Sequence, residues 1–143
     1  MSNINRKHMA LRKTMFRLVL GIFLFLAGVA HLIIPSEFLA QVPPWLPLDS
    51  YFVIIASGIV EIILGLALAF ERKRRALVCW IVAVFFVAIF PGNLSQYMNQ
   101  VDAFGLTTDS ARFTRLFFQP VLIICALWAT DAWASLRDKE KAV

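Results

Sequence analysis

Charge is scarce in this sequence: only 16% of the residues are Asp, Glu, Lys or Arg, against 60% hydrophobic. A soluble domain of 143 residues needs more polar surface than that to cover itself, so the composition excludes an ordinary soluble fold. Cysteine is nearly missing as well. Cys79 and Cys125 form no Cys-x-x-Cys and fall at different depths of their apolar runs. A disulfide needs Cα atoms within about 7 Å, so the two are expected to stay unbridged, and thiol exchange by this chain alone is not expected. Inside the apolar runs stand one histidine and one glutamate, too few for a catalytic metal centre. There is no haem ligand pair, flavin motif or iron–sulfur spacing, so any electrons would have to come from a partner.

What is abundant is uninterrupted hydrophobicity. Leu18–Ile34 holds 17 residues with one His and no formal charge. Tyr51–Phe70 holds 20 with a single Glu, and Ala76–Phe90 a further 15 without a charge. Leu116–Trp133 is broken only by Gln119, Pro120, Thr130 and Asp131. A helix needs roughly 20 mostly apolar residues to cross ~30 Å of hydrocarbon. Met15–Arg17 and Pro91–Met98 bring the first and third runs to that length. The expected fold is all-α: a four-helix transmembrane bundle forming one membrane domain over 1–143, with spans near 15–34, 51–70, 76–98 and 112–134.

The net charge of +5 is placed for topology rather than for nucleic acid. Arg6, Lys7, Arg12, Lys13 and Arg17 precede the first span. Arg72, Lys73, Arg74 and Arg75 fill the link between spans two and three, and Arg137, Lys139 and Lys141 follow the fourth. Twelve of the 14 basic residues thus share one side of a four-span chain. Lys/Arg bias in short loops marks the cytoplasmic face, which makes both termini cytoplasmic; the expected location is a bacterial cytoplasmic (inner) membrane. The first run exceeds the 7–15 residues of a signal-peptide core and has a poor cleavage pattern near Ala30, so cleavage is not expected. The outer segments are short and interfacial. Pro35 ends or bends the first helix and Ser36 is placed to cap a new one from Glu37, with Phe38, Leu39, Trp45 and Leu46 suited to the headgroup boundary. The second outer segment, about 95–112, carries Gln96, Asn99, Gln100, Asp102 and Asp109.

The informative residues are those that cost energy where they stand. Glu61 lies ten residues into span two, about 15 Å deep at 1.5 Å per residue. An acid at that depth costs roughly 2.5–3.5 kcal/mol on insertion scales, so it must face the bundle interior or a wet cavity. Ser57, Gly58, Glu61 and Gly65 form one small and polar stripe, and Gly21, Gly28 and His31 form another on span one. Arg112, Arg115 and Gln119 share a face of span four. Pro91-Gly92-Asn93 closes span three, with Gln96 one turn on. His31, Glu61, Asn93 and the Arg115/Gln119 pair therefore come from four spans yet gather between the midplane and the outer surface. No such cluster is visible in the cytoplasmic half. Pro91 and Pro120 adjoin it, and helix breaks of this kind are tolerated in lipid where neighbours or a cavity satisfy the freed groups. Two plainer uses of these residues stand beside a site: Glu61 and Arg115 as a buried pair that sets helix register, and the glycine stripes as packing. The Arg72–Arg75 run is a topology signal that also suits anionic lipid.

Gly28-Val-Ala-His31, Ser57-Gly-Ile-Val-Glu61, Phe90-Pro-Gly-Asn93, and Arg115 with Gln119-Pro120 resemble, in this order, the DoxX-like family of small four-helix membrane proteins. The resemblance runs from about Phe16 to Thr130. Gly92 stands where the family's third motif usually has Ala. The resemblance implies kinship with membrane subunits linked to thiosulfate:quinone oxidoreduction and to methylamine dehydrogenase maturation, and with members of oxidative-stress complexes. It implies a site of His31, Glu61, Asn93, Arg115 and Gln119, the same set that burial selects. The expected function is that of a membrane subunit of a redox or stress-related system holding a quinone or similar lipid-soluble molecule. Asn93, Arg115 and Gln119 would bind its head group, Glu61 and His31 would be the catalytic, proton-passing pair, and a soluble or membrane redox partner would supply electrons. Two other classes fit the same residues. One is a lipid-associated scaffold whose polar cluster only locks the helices. The other is a small proton-coupled transporter, which with four helices would need to form a homodimer.

Overall fold

The structure, a computed structural model, describes residues 3–100 and 108–129. Among them the chain forms four long helices, α1 (Asn3–Ile33), α2 (Ser50–Phe70), α3 (Arg75–Met98) and α4 (Asp109–Trp128), with a 3₁₀ segment, Pro35–Gln41, between the first two. The described residues contain no strand. Each long helix is long and apolar enough to cross a membrane. Large side chains such as Ile22, Phe52, Ile63, Val84, Phe117 and Ile124 stand exposed on the outer faces, as lipid-facing positions require. The fold is the expected all-α bundle, and the chain is a multi-pass membrane protein. Thr130, Asp131, Arg137, Lys139, Lys141 and Asp102, with the expected end of the last span near 134, lie outside the described residues.

Helix ends follow local chemistry. α1 begins well before its apolar run because neither Gly nor Pro interrupts the chain before Gly21, so the basic residues from Lys7 onward ride on the same helix. The 3₁₀ segment starts at Pro35 rather than at Glu37, with no side-chain cap: the proline supplies a pre-set φ at the first position and Ser36 is not used. Asp49 caps α2, accepting from the Phe52 N–H at 2.8 Å, and Thr108 caps α4, accepting from the Ala111 N–H at 3.2 Å. α4 consequently starts at Asp109, a turn ahead of Arg112. Glu71 organises the tight link after α2: its Oε1 accepts from the Lys73 N–H at 2.7 Å and from the Arg74 N–H at 3.1 Å.

α1 packs chiefly on α2 and α3 chiefly on α4, with smaller contacts joining the two pairs. The α1–α2 seam is a backbone contact. Gly21 faces Gly65 and Gly28 faces Gly58, seven residues apart in each helix and running in opposite directions. A Cβ on Gly65 would lie 2.6 Å from Gly21 O and 2.7 Å from Phe25 N, so no larger residue fits without separating the helices. Three buried positions of α1 around this seam, Arg17, Leu24 and His31, keep the same seven-residue spacing, with Leu20 between the first two. Leu20, Leu24, Leu64, Leu68, Val78, Val82, Phe86 and Ala126 form the core that all four helices share, set toward the α2–α3 link. Cys79 is buried there, and neither it nor Cys125 is bridged.

Arg17 departs from its reading as a flanking topology marker. It is buried, and its Nη1 donates to Leu68 O and, at 3.4 Å, to Glu71 O. A cation thereby satisfies the last carbonyls of α2, where the helix dipole is negative. The half of the bundle near the link has a buried polar device after all. A flanking arginine in a sequence gives no hint that the neighbouring helix will end beside it.

Two outcomes follow. Gly65→Ala should lower the thermal midpoint in detergent micelles, by the roughly 1–3 kcal/mol typical of overpacking, with Gly21→Ala acting in the same direction. The carboxyl of Glu71, beyond the end of the second candidate span, is held below its ordinary value by the backbone N–H groups of Arg74 and Lys73. A carboxylate with a lowered folded pKa stabilises fully above its unfolded pKa, and that contribution is lost as pH falls through the folded value. Glu71→Gln should therefore flatten the acid limb of a stability-versus-pH curve and leave its neutral slope unchanged.

Candidate ligand-binding cavity

Away from the shared core, the four helices and the 3₁₀ segment surround a cavity of about 570 Å³. That is within the roughly 300–1,000 Å³ usual for small-molecule sites. His31 from α1, Glu61 from α2, Asn93 from α3, and Arg115 and Gln119 from α4 all line it, so the five residues expected to meet do share one cavity. Most of the remaining wall is apolar, including Leu24, Phe38, Ile54, Ile89 and Leu122. Phe23 and Phe118 line the cavity and are also 46% and 54% exposed. They stand on α1 and α4, which touch, so the cavity reaches the outer face of the bundle there.

His31 and Glu61 are brought together by the glycine seam. Both are buried, at 7% and 5% exposure, in a region where solvent offers no alternative partner. Gly58 makes the approach feasible: a Cβ there would lie 2.7 Å from His31 Cβ. Nδ1 of His31 then lies 2.9 Å from Oε2 of Glu61. The contact has ion-pair distance without hydrogen-bond alignment, and neither atom has an aligned protein partner. Both keep capacity for a further polar group. Phe38 packs edge-on against the imidazole, ring centroids 3.8 Å apart at 75°, and closes it from the side of the 3₁₀ segment. The side chain that meets Glu61 is thus His31, where the sequence suggested Arg115. The seam aligns α1 with α2, while Arg115 faces the cavity from another helix.

Asn93 and Gln119 meet beside the two prolines. Asn93 Nδ2 donates to Gln119 Oε1 at 2.5 Å, and Gln119 Nε2 donates to Phe86 O at 2.5 Å. Pro91 has no N–H for the carbonyl of Val87, and Phe86 lies next to that break in α3. Gln119 therefore ties α4 to the weakened stretch of α3 and holds the Asn93 amide in place. Its own amide is largely occupied, so it is less available to a ligand than its spacing suggested. Arg112, which shares its helical face, is buried and bonded to Asp109 at 2.7 Å, and it does not line the cavity. Gln96 is buried outside the lining as well.

One lining residue escaped the sequence reading. Gln41 ends the 3₁₀ segment, and its Nε2 is buried without a protein partner. The available signal was slight: it is the single polar side chain between Phe38 and Leu46.

Replacing Gln119 by Leu should strand the Asn93 amide and remove the side-chain donor to the Phe86 carbonyl. An unpaired buried group of this kind costs about 1–3 kcal/mol. The variant should melt earlier in micelles, whereas Arg115→Gln, which leaves those two bonds in place, should not show the same loss.

Neither a curated protein nor a solved structure matches the chain. A family model does match, over residues 20–130, from the first buried leucine of α1 through the end of α4. The protein belongs to the family described as Domain of unknown function (DUF8561).

Proposed function

We propose that this protein binds a lipid-soluble molecule with a polar ring head group, of the quinone type, as the membrane subunit of a redox or stress-related system. The observation that carries this reading is the convergence of five polar side chains from all four helices on one mostly apolar cavity. Isolated packing devices would not need a shared space. The fit to a quinone rests on the unaligned polar atoms of His31 and Glu61, which suit a ring carbonyl or hydroxyl, and on the apolar wall, which suits a ring and its tail. The opening flanked by Phe23 and Phe118 gives a tail a route to lipid. Asn93, oriented by Gln119, and Arg115 would bind and orient the head group. Glu61 and His31 would hold or move a proton at the buried carboxyl and imidazole. When bound, a quinone would supply two-electron carrier chemistry, with the electrons coming from a partner protein.

The resemblance to DoxX-like proteins supports the same reading and a bacterial inner-membrane location, and the basic loops support cytoplasmic termini. A second reading, a lipid-associated scaffold, draws on the Asn93–Gln119–Phe86 chain, which satisfies polar groups within the protein and locks α3 to α4.

The test is mass spectrometry of an organic extract from gently purified protein, wild type against Glu61→Gln. A stoichiometric quinone or other isoprenoid should accompany the wild type and be lost from a variant that remains folded. Bulk phospholipid alone in both would sink the redox reading and favour the scaffold.

A further inference from the structure

The deepest polar residues of the cavity stand on α1 and α2, yet the 3₁₀ segment presents a polar group of its own. That segment is pinned at its middle and at its C-terminal end. Phe38 is 8% exposed and rests against the His31 ring. The carbonyl of Gln41 lies against Gly92, where an added Cβ would come within 2.7 Å of the oxygen. The glycine after Pro91 thus lets the segment seat directly on the α3 backbone. With its main chain held there, Gln41 lines the cavity, and its amide nitrogen is buried without a protein acceptor. A buried donor in that state costs about 1–3 kcal/mol relative to a paired one. A ligand oxygen in the cavity removes that penalty.

We infer that Gln41 is a specificity-determining residue of the cavity, donating from Nε2 to an acceptor oxygen on the face of the head group turned toward the 3₁₀ segment. This rests on the ligand-binding reading above and sharpens it. The ligand class becomes a ring bearing at least two oxygens, one met by Gln41 and another by the His31–Glu61 pair. These groups stand on different elements of the cavity wall, and the pair has its own atoms without aligned partners. A lipid with a single polar atom would leave one of the two sets unmet, and the site should reject it. Sites built to bond a substrate oxygen discriminate strongly against analogues that lack it, because their own buried groups are then left unpaired.

The experiment compares two probes by calorimetric titration in the same micelles, with empty micelles as blank. One is decylubiquinone; the other is decylbenzene, which keeps the ring and tail and lacks the ring oxygens. Wild type should prefer decylubiquinone by about tenfold or more. Gln41→Leu and the unbranched Gln41→Met should each weaken decylubiquinone about tenfold and leave decylbenzene unchanged. The two variants guard against a folding defect in either, checked by monodispersity and helical circular dichroism. Decylubiquinone binding that is lost in Glu61→Gln but unaltered in both Gln41 variants overturns the assignment of Gln41 while the ligand reading stands. Absence of saturable decylubiquinone binding in the wild type overturns both.

Discussion

Helices in a bilayer gain little from hiding apolar surface, since lipid tails are as apolar as leucine. What holds α1 to α2 is close contact of their backbones, permitted by Gly21, Gly28, Gly58 and Gly65 in antiparallel register. The rest of the structure depends on that register. At one end it sets Arg17 under the last carbonyls of α2. At the other it sets His31 across Gly58 and within reach of Glu61. A Cβ in the seam would disturb both ends together, because two rigid helices joined along a line move as a unit.

The second pair of helices is joined by different means. α3 and α4 each carry an internal proline, and a chain of amide hydrogen bonds from Asn93 through Gln119 to the Phe86 carbonyl closes the gap beside one of them. Such a join is directional and local. It lets the two pairs share a tight core near the α2–α3 link while surrounding a cavity toward the 3₁₀ segment. The shared core and the cavity thus lie toward opposite ends of one bundle. The link end has dense apolar packing, and the other has polar groups with capacity left over.

The five cavity residues were legible because each stands, or ends, within an apolar run, where a polar side chain must be stabilised by something. Residues outside those runs gave no such signal. Gln41 lies in an interfacial loop where a polar residue costs nothing until the loop folds down over a cavity. Arg17 lies among other basic residues and looks like one more topology marker. The pairing of Glu61 was equally hidden: His31 and Arg115 both stood at suitable depths, and only the glycine seam, by fixing which faces of α1 and α2 meet, placed His31 beside it. The start of the 3₁₀ segment moved from Glu37 to Pro35 because proline's fixed φ outweighed the capping capacity of Ser36.

By itself the sequence determined what depends on composition along the chain. The four spans follow from run length against bilayer thickness, and the gathering of polar residues toward one end follows from counting rise per residue. Tertiary structure alone decided what depends on contacts between spans. It determined which partner Glu61 takes, that Gln119 serves the protein's own carbonyl before any ligand, that Arg17 caps a neighbouring helix, and that Gln41 faces a cavity. The reason is geometric: a one-dimensional pattern records depth and helical face, whereas the rotation of one helix against another is set by side-chain volumes at the seam.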